Sequence, residues 1–393
     1  MRSPSDVVPG IRLDAVEAFA YRGPVDRPIR VAFGTFTDRP SVVVRVVDLD
    51  GAEGWGEVWC NFPTVGAEHR ARLVNEVVGP RLLQRSFSGP ADAFETLSRE
   101  LEVLVLQTGE VGPIAQAIAG IDIALWDLTA RRAQKPLYQV LGGAPTESIP
   151  VYATAIGPDE PERVAATFYE RGHRAFKLKT GFGSALDLRN IAALRERLGD
   201  AIVLMVDANQ SLDLASAIDA VRASAKYRLD WFEEPLRVDA PAADWRALAS
   251  ASPIPLAGGE NIRGSDFDEA IALGALSVIQ PDVTKWGGIS GNVTVARKAI
   301  AAGRRFCPHY FAGGIGLLAS LHLLVAFRGD GLLEFDSHPN ALRDLVLGSL
   351  LPVSNGRVPV PQGPGLGVQP DLAVLERYRT WAPAAPAATN AAC

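Results

Sequence analysis

Cysteine is scarce in this chain. Cys60, Cys307 and Cys393 are three in 393 residues, odd in number and far apart, which excludes a disulfide framework and zinc-type ligand spacing. A reducing, cytoplasmic setting is the expectation. Long apolar runs are also missing: Leu317 to Phe327 falls far short of the ~20 residues of a membrane span and contains His322. The first twenty residues carry Arg2, Asp6, Arg12 and Asp14 with no apolar leader core, so neither membrane nor export is expected. Basic charge is not in excess, with 39 Lys and Arg against 45 Asp and Glu and a net charge of −6. The phosphate-driven attraction used by nucleic-acid binders therefore has no global source. A Gly-x-Gly-x-x-Gly turn after the first strand is absent as well, which removes the usual dinucleotide site.

What is present is 48% hydrophobic residue, 21% charged residue, 37 Gly and 28 Pro, the composition of a large globular chain. Leu13 to Tyr21, Ser41 to Leu49 and Gly54 to Trp59 read as strands, the last two joined at Asp50-Gly51. From Ala67 the period turns helical, ending in Ile114 to Arg132 before Lys135-Pro136. Residues 1–142 are thus expected to form an α+β domain. After Gly142-Gly143, short apolar strands begin near Val151, Ala175, Ile202, Asp230, Ile254, Leu276, Arg304 and Leu332, at steps of 22 to 28 residues. Eight regular βα-sized steps predict an α/β fold with a closed parallel barrel over 143–354. The Pro- and Gly-rich segment 355–393 is expected to run back across the first domain, with Ala382 to Cys393 frayed.

Barrel chemistry belongs at the C-terminal ends of the strands, and there the polar residues fall. Asp207, Glu233 and Glu260 end three successive strands, so their carboxylates are expected to converge. Three such anions repel unless a cation sits among them, and an all-oxygen set favours Mg²⁺ first and Mn²⁺ second. Glu234 rivals Glu233, because strand alternation turns only one of the two inward. Lys177 and Lys179, two residues apart, share one side of their strand, and adjacent ammonium groups close to a cation are expected to depress each other's pKa toward a usable base. Asp282 and His309 end neighbouring strands and suit a carboxylate-oriented imidazole across the mouth from the lysines. A base on each side fits removal of a proton next to a carboxylate, followed by its return to the opposite face or by loss of a β-hydroxyl.

These residues carry a resemblance. The helix Gly120 to Asp127, Lys177-Leu178-Lys179, Asp207-Ala208-Asn209-Gln210, Trp231-Phe232-Glu233-Glu234-Pro235, Gly259-Glu260-Asn261, Gln280-Pro281-Asp282 with Gly287-Gly288, and Pro308-His309 together resemble the enolase superfamily, mandelate racemase subgroup. The resemblance implies a modified (β/α)7β TIM-type barrel under an N-terminal α+β capping domain, with Mg²⁺ on Asp207, Glu233 and Glu260. It implies Lys179 as one acid/base, Lys177 as its electrostatic partner in contact with the substrate carboxylate, and the His309-Asp282 dyad as the opposite acid/base. Glu334 matches by strand position the family glutamate that hydrogen-bonds the enolate oxygen, and Asn209 is placed as a substrate contact. Lys285 receives no role.

The end pattern Leu333 to Asp336, His338-Pro339-Asn340 and Pro364 to Gly367 looks most like acid-sugar dehydratases and sugar-acid lactone cycloisomerases. The loop Tyr21 to Arg39 carries Arg22, Arg27, Arg30 and Arg39, with Arg27 and Arg30 favoured to hold a distal carboxylate. Val31, Phe33 and Phe36 in the same loop keep an aromatic, mandelate-like substrate in view. The expected partner is a small-molecule carboxylate, in a homo-oligomer. Three readings stand: dehydration of an aldarate or aldonate; racemisation, epimerisation or cycloisomerisation in the same site; and a non-catalytic binding protein with a vestigial site.

Overall fold

The structure is a computed structural model that describes residues 10–31, 34–327 and 329–383, apart from the side chains of residues 27 and 29–31. Its first strands are β1 (Leu13–Val31), β2 (Gly34–Asp48) and β3 (Glu53–Val58), antiparallel in sequence order. The β2–β3 turn holds Gly51 at φ +80°, and the Asp48 carboxylate accepts from the amides of Asp50 and Ala52 at 2.8 and 3.0 Å. The expected loop from Tyr21 to Arg39 is instead a two-stranded ribbon, because β1 and β2 stay paired from Arg22 with Pro40 out to Val31 with Gly34. The β-rich sequence on both arms satisfies backbone donors that an irregular loop would leave to water.

Five helices follow: α1 (Gly66–Arg72), α2 (Pro90–Glu100), α3 (Glu102–Thr108), α4 (Val111–Arg132) and α5 (Leu137–Val140). By length and composition α4 would cross a membrane, yet it is a core helix, buried between β3, α2 and barrel helix α11 described below. Its approach to β3 requires glycine, since a Cβ on Gly56 would meet the Gly120 carbonyl oxygen at 2.0 Å.

The barrel alternates β4 (Ser148–Ile156), α6 (Pro161–Glu170), β5 (Ala175–Lys179), α7 (Ser184–Leu198), β6 (Val203–Asp207), α8 (Leu214–Ser224), β7 (Phe232–Glu233) and α9 (Ala242–Ala251). It continues with β8 (Leu256–Gly258), α10 (Asp266–Leu273), β9 (Val278–Ile279), α11 (Gly288–Ala301), β10 (Arg305–Phe306), α12 (Gly314–Phe327), β11 (Leu333–Asp336) and a short α13 (Ala341–Leu347). Seven parallel pairings run β10-β9-β8-β7-β6-β5-β4-β11. At the β10–β11 seam, side chains replace the ladder: Leu332 N–H donates to Cys307 Sγ at 3.4 Å and Tyr310 N–H to a Glu334 carboxylate oxygen at 2.9 Å.

Strand alternation stacks the interior in layers. Tyr152, Ala175, Met205, Trp231, Ala257, Val278, Cys307 and Leu332 form a buried apolar plug. Two residues further along, several of the same strands present Lys177, Asp207, Glu233, Gln280, His309 and Glu334, so the polar floor of the mouth rests on a dry base.

Past the barrel, β12 (Arg357–Pro359) pairs with β4, α14 (Leu372–Leu375) follows, and β13 (Arg379–Trp381) pairs antiparallel with β1. Asp127 fastens this return: one carboxylate oxygen accepts Leu366 N–H at 2.6 Å, the other Trp55 N–H at 2.9 Å and Arg131 Nε at 2.7 Å. The segment 384–393, expected to fray, lies outside the described residues.

Candidate active site

Two cations rise from β5. Residues i and i+2 of a strand share a face, and Lys177 and Lys179 do so. Lys177 is fully buried, its Nζ 2.6 Å from Glu233 Oε1, 2.7 Å from Glu334 Oε1 and 3.9 Å from Asp207. It is not among the residues lining the cavity above. Lys179, one layer higher, lines the cavity with Nζ 2.5 Å from Asp207 Oδ2.

The neighbouring ammonium does depress the Lys179 pKa, as expected, but the nearby carboxylates set the net direction. Burial, the largest effect, and the neighbouring ammonium act against the charged form of Lys179, but Asp207 and Glu233 together outweigh them and raise its pKa. For Lys177, Glu233 and Glu334 outweigh burial and raise its pKa well above the lysine range. Opposite charges beat like charges here because carboxylates lie 2.5 to 2.7 Å from both ammonium groups and outnumber them.

Across the mouth, Asp282 follows β9 and His309 follows β10, joined by a backbone bridge. Asp282 Oδ2 lies 2.7 Å from His309 Nδ1, and its other oxygen accepts from Thr284 N–H at 2.8 Å and Thr284 Oγ1 at 2.7 Å. His309 Nε2 then faces Glu260 Oε2 at 2.6 Å. Burial alone would lower the imidazole pKa; Glu260 and Glu334, with the Asp282 hydrogen bond, raise it well above the ordinary value. Glu334 accepts from Tyr310 N–H and pairs with Lys177, and Lys177 with His309 holds its carboxyl below the usual range against burial.

The expectation that only one of Glu233 and Glu234 faces inward also fails. Glu233 is the floor residue, accepting Trp231 Nε1 at 3.0 Å and Gln280 Nε2 at 2.8 Å. Glu234 has φ +38°, which breaks the alternation just past β7 and turns its carboxylate to Asn261 Nδ2 at 3.1 Å. Burial, then Glu260 and Asp207, push Glu234 well above the carboxylate range; burial, with Asp207 and Glu334, pushes Glu233 up to about 7 against Lys177.

Among the described residues, no three His, Cys, Asp or Glu side chains meet at one point as metal ligands do. The expected convergence of Asp207, Glu233 and Glu260 is interrupted by Lys179, Lys177 and His309, which reach in between them. The donor set nevertheless fits a hard divalent ion. Asp207, Glu233, Glu234, Glu260, Asp282 and Glu334 are six buried or nearly buried carboxyls facing Lys177, Lys179, Lys285 and His309. Six carboxyls against four basic groups make the site rich in the oxygen donors that such an ion takes.

A cavity of about 610 Å³ opens above this floor. Asn209, Glu260, His309 and Glu334 line it beside Lys179, while Phe36, Trp59 and Phe62 of the capping segment roof it. Phe36 packs on Phe62 and Phe311 at ring-centroid distances of 4.6 and 5.5 Å. Sequence patterning named Phe36 but missed the rest of the roof, since nothing local marks Trp59 or Phe62 as lining one cavity with Phe311. Lys285, Asn261 and Thr154 were missed too, although Lys285 follows Asp282 by three residues and Asn261 adjoins Glu260.

Two of the four arginines of the ribbon from Tyr21 to Arg39 are occupied elsewhere. Arg22 pairs with Asp38 at 2.9 Å and Glu68 at 2.8 Å. Arg39 is buried, 2.8 Å from Asp336 and stacked 4.3 Å over the Phe311 ring. The side chains of Arg27 and Arg30 lie outside the described residues.

Residues 15–142 match the mandelate racemase/muconate lactonizing enzyme N-terminal domain model, and residues 160–374 match the enolase C-terminal domain-like model. A D-galactarolactone cycloisomerase of Agrobacterium fabrum is 33% identical over 94% of this chain and 99% of its own length. An arabinonate dehydratase of Saccharolobus solfataricus is 28% identical over 93% and 95%. Among solved structures, a mandelate racemase/muconate lactonizing enzyme from Bordetella bronchiseptica RB50 superposes with TM-score 0.88 at 52% identity, covering 94% of this chain and 99% of that one. A racemase from Streptomyces coelicolor A3(2) with bound magnesium gives TM-score 0.82 at 30% identity, covering 94% and 100%.

Proposed function

Because the chain belongs to the mandelate racemase/muconate lactonizing enzyme family of the enolase superfamily, we propose that it removes the proton α to the carboxylate of a hydroxy or sugar acid, with dehydration of an aldarate or aldonate as the first reading. One observation carries it: Lys179 on β5 and the Asp282-oriented His309 after β10 line one cavity, with the carboxylates between them.

Asp207, Glu233 and Glu260 would hold Mg²⁺, or Mn²⁺, and Glu234 adds a fourth oxygen donor close by. When bound, the ion supplies a Lewis acid for the substrate carboxylate. Lys179, once in its neutral amine form, accepts the α-proton at Nζ from one face. The Asp282 contact assigns the His309 Nδ1 proton, leaving Nε2 to act in the cavity. The raised pKa of His309 keeps a second proton on Nε2, and His309 delivers that Nε2 proton to a departing β-hydroxyl. The Cα–H and Cβ–O bonds break, water leaves, and the resulting enol tautomerises to a 2-keto acid. Lys177, between Glu233 and Glu334, keeps positive charge beneath the forming enolate.

A second reading is favoured by the aromatic roof of Phe36, Trp59 and Phe62. A substrate with a flat apolar face suits it, and the same two bases then return the proton to the opposite face or cyclise the intermediate. The relatives named above include a cycloisomerase and a dehydratase, so both outcomes lie within the family. Incubating the Mg²⁺-loaded protein with a panel of sugar acids in D₂O, read by NMR for deuterium at Cα and for 2-keto product, separates the readings. Keto product supports dehydration, and exchange without it supports isomerisation. Neither one, on any acid, leaves a non-catalytic binding protein and removes the proposal.

A further inference from the structure

The loop after β9 brings a third lysine into the cavity. Lys285 Nζ lies 2.6 Å from Asn261 Oδ1, 3.8 Å from Glu260 Oε1 and 4.8 Å from the centre of the Trp59 ring. Its side chain is 10% exposed, and it lines the cavity. Trp59 is itself anchored to this loop, its backbone N–H donating to the Thr284 carbonyl at 3.1 Å. The capping segment therefore pins the lysine stem in place while an ammonium over an indole face is held favourably. An ammonium has three protons. Asn261 accepts one, Glu260 lies beyond hydrogen-bond distance, and the Trp59 face accepts none conventionally, so a donor is left for a ligand oxygen. The neighbouring roof residues Phe36 and Phe62 offer no side-chain donor at all.

We propose that Lys285 is a specificity-determining residue that donates a hydrogen bond to an oxygen, carboxylate or hydroxyl, on the part of the substrate lying beneath the capping segment, away from the reacting carbons. The proposal rests on the enolate chemistry proposed above and gives Lys285 the distal recognition that the ribbon arginines were expected to supply. Trp59 and Phe36 then select a tail with a flat face, and Lys285 selects the oxygen on it.

Full-length Mg²⁺-loaded protein, Lys285→Met and Lys285→Arg are compared on C6 aldarates, the matching aldonates, and 2-hydroxy acids with phenyl or alkyl tails, by α-proton exchange in D₂O. Mg²⁺ affinity is measured alongside by calorimetry and folding by circular dichroism. The expected result is that Lys285→Met raises KM for oxygen-bearing acids ~10 to 150-fold relative to the phenyl and alkyl acids, the range of one hydrogen bond to a charged group. Lys285→Arg, which keeps the cation, should recover part of that selectivity, and Mg²⁺ affinity should hold. Unchanged selectivity overturns the proposal. So does an equal loss on every acid with weaker Mg²⁺ binding, which would make Lys285 a support for Glu260, or wild-type exchange confined to phenyl and alkyl acids. If the wild type exchanges no acid at all, the enolate reading itself has failed, which is a separable outcome.

Discussion

Asp282 and His309 lie 27 residues apart in the chain and 2.7 Å apart between Oδ2 and Nδ1, on segments that also share a backbone bridge. The backbone contact fixes the distance and the carboxylate fixes the ring orientation, so the imidazole arrives in the mouth with one nitrogen committed. Asp282 is not on the cavity wall.

That pairing predicts separable faces. His309→Asn should abolish exchange from one face of the α-carbon while Lys179→Ala abolishes it from the other, each by ~10² to 10⁴-fold. Asp282→Asn should mimic His309→Asn, because the wrong tautomer is then stabilised. Deuterium incorporation into each enantiomer, followed by NMR, checks this; a variant that keeps wild-type exchange on both faces removes its residue from the mechanism.

The donor set makes a second prediction. Asp207→Asn and Glu260→Gln should each lose saturable Mg²⁺ binding in calorimetry, since each removes an anionic ligand from a hard-ion site. Wild-type affinity in either variant would show that the set is wrong.

Arg22 and Arg39, only 17 positions apart, should behave differently. Arg39→Met strands the buried Asp336 carboxylate, whose pKa Arg39 holds well below the usual range against burial, at a cost of ~3 to 5 kcal/mol. Arg22→Met breaks partly exposed pairs with Asp38 and Glu68 and should cost ~1 kcal/mol or less. Thermal unfolding compares them; equal losses would refute the distinction.

His322 predicts the acid limb of stability. It is fully buried, with Nδ1 accepting Tyr138 N–H at 3.3 Å and Nε2 facing the Leu366 carbonyl at 3.2 Å, and burial lowers its pKa to about 4. The unfolded chain binds this proton near pH 6.5 and the folded chain only near 4, so stability is present above 6.5 and falls as pH drops through that window. The loss from this one site is on the order of 3 kcal/mol. His322→Gln should be less stable than wild type at pH 7.5 and lose less on going to pH 5. A parallel fall of both melting temperatures would exclude His322 as the cause.

How much was legible follows from how far each signal reaches along the chain. The eight observed strands begin within three residues of the positions expected from periodicity, and the Asp282-His309 contact follows from their places after adjacent strands. Strand alternation correctly put Lys177 and Lys179 on one side. It failed at Glu234, where one positive φ just past the strand turns a carboxylate that simple alternation would face away.

Residue order by itself determined the barrel, the polar layer at its mouth and the type of group at each strand end, because these depend on spacings of two and of about 25 residues that any segment carries locally. Apart from Asp282 with His309, tertiary structure decided which partner each of these charges took. It gave Arg39 to Asp336 and Lys177 to Glu233 and Glu334, and it set Trp59 over Lys285 and Phe36 over Phe311. Those pairings depend on how the capping segment lies across the barrel. A Coulomb or ring contact acts through a few ångströms of space whatever the separation along the chain, and no periodicity within either partner encodes that distance.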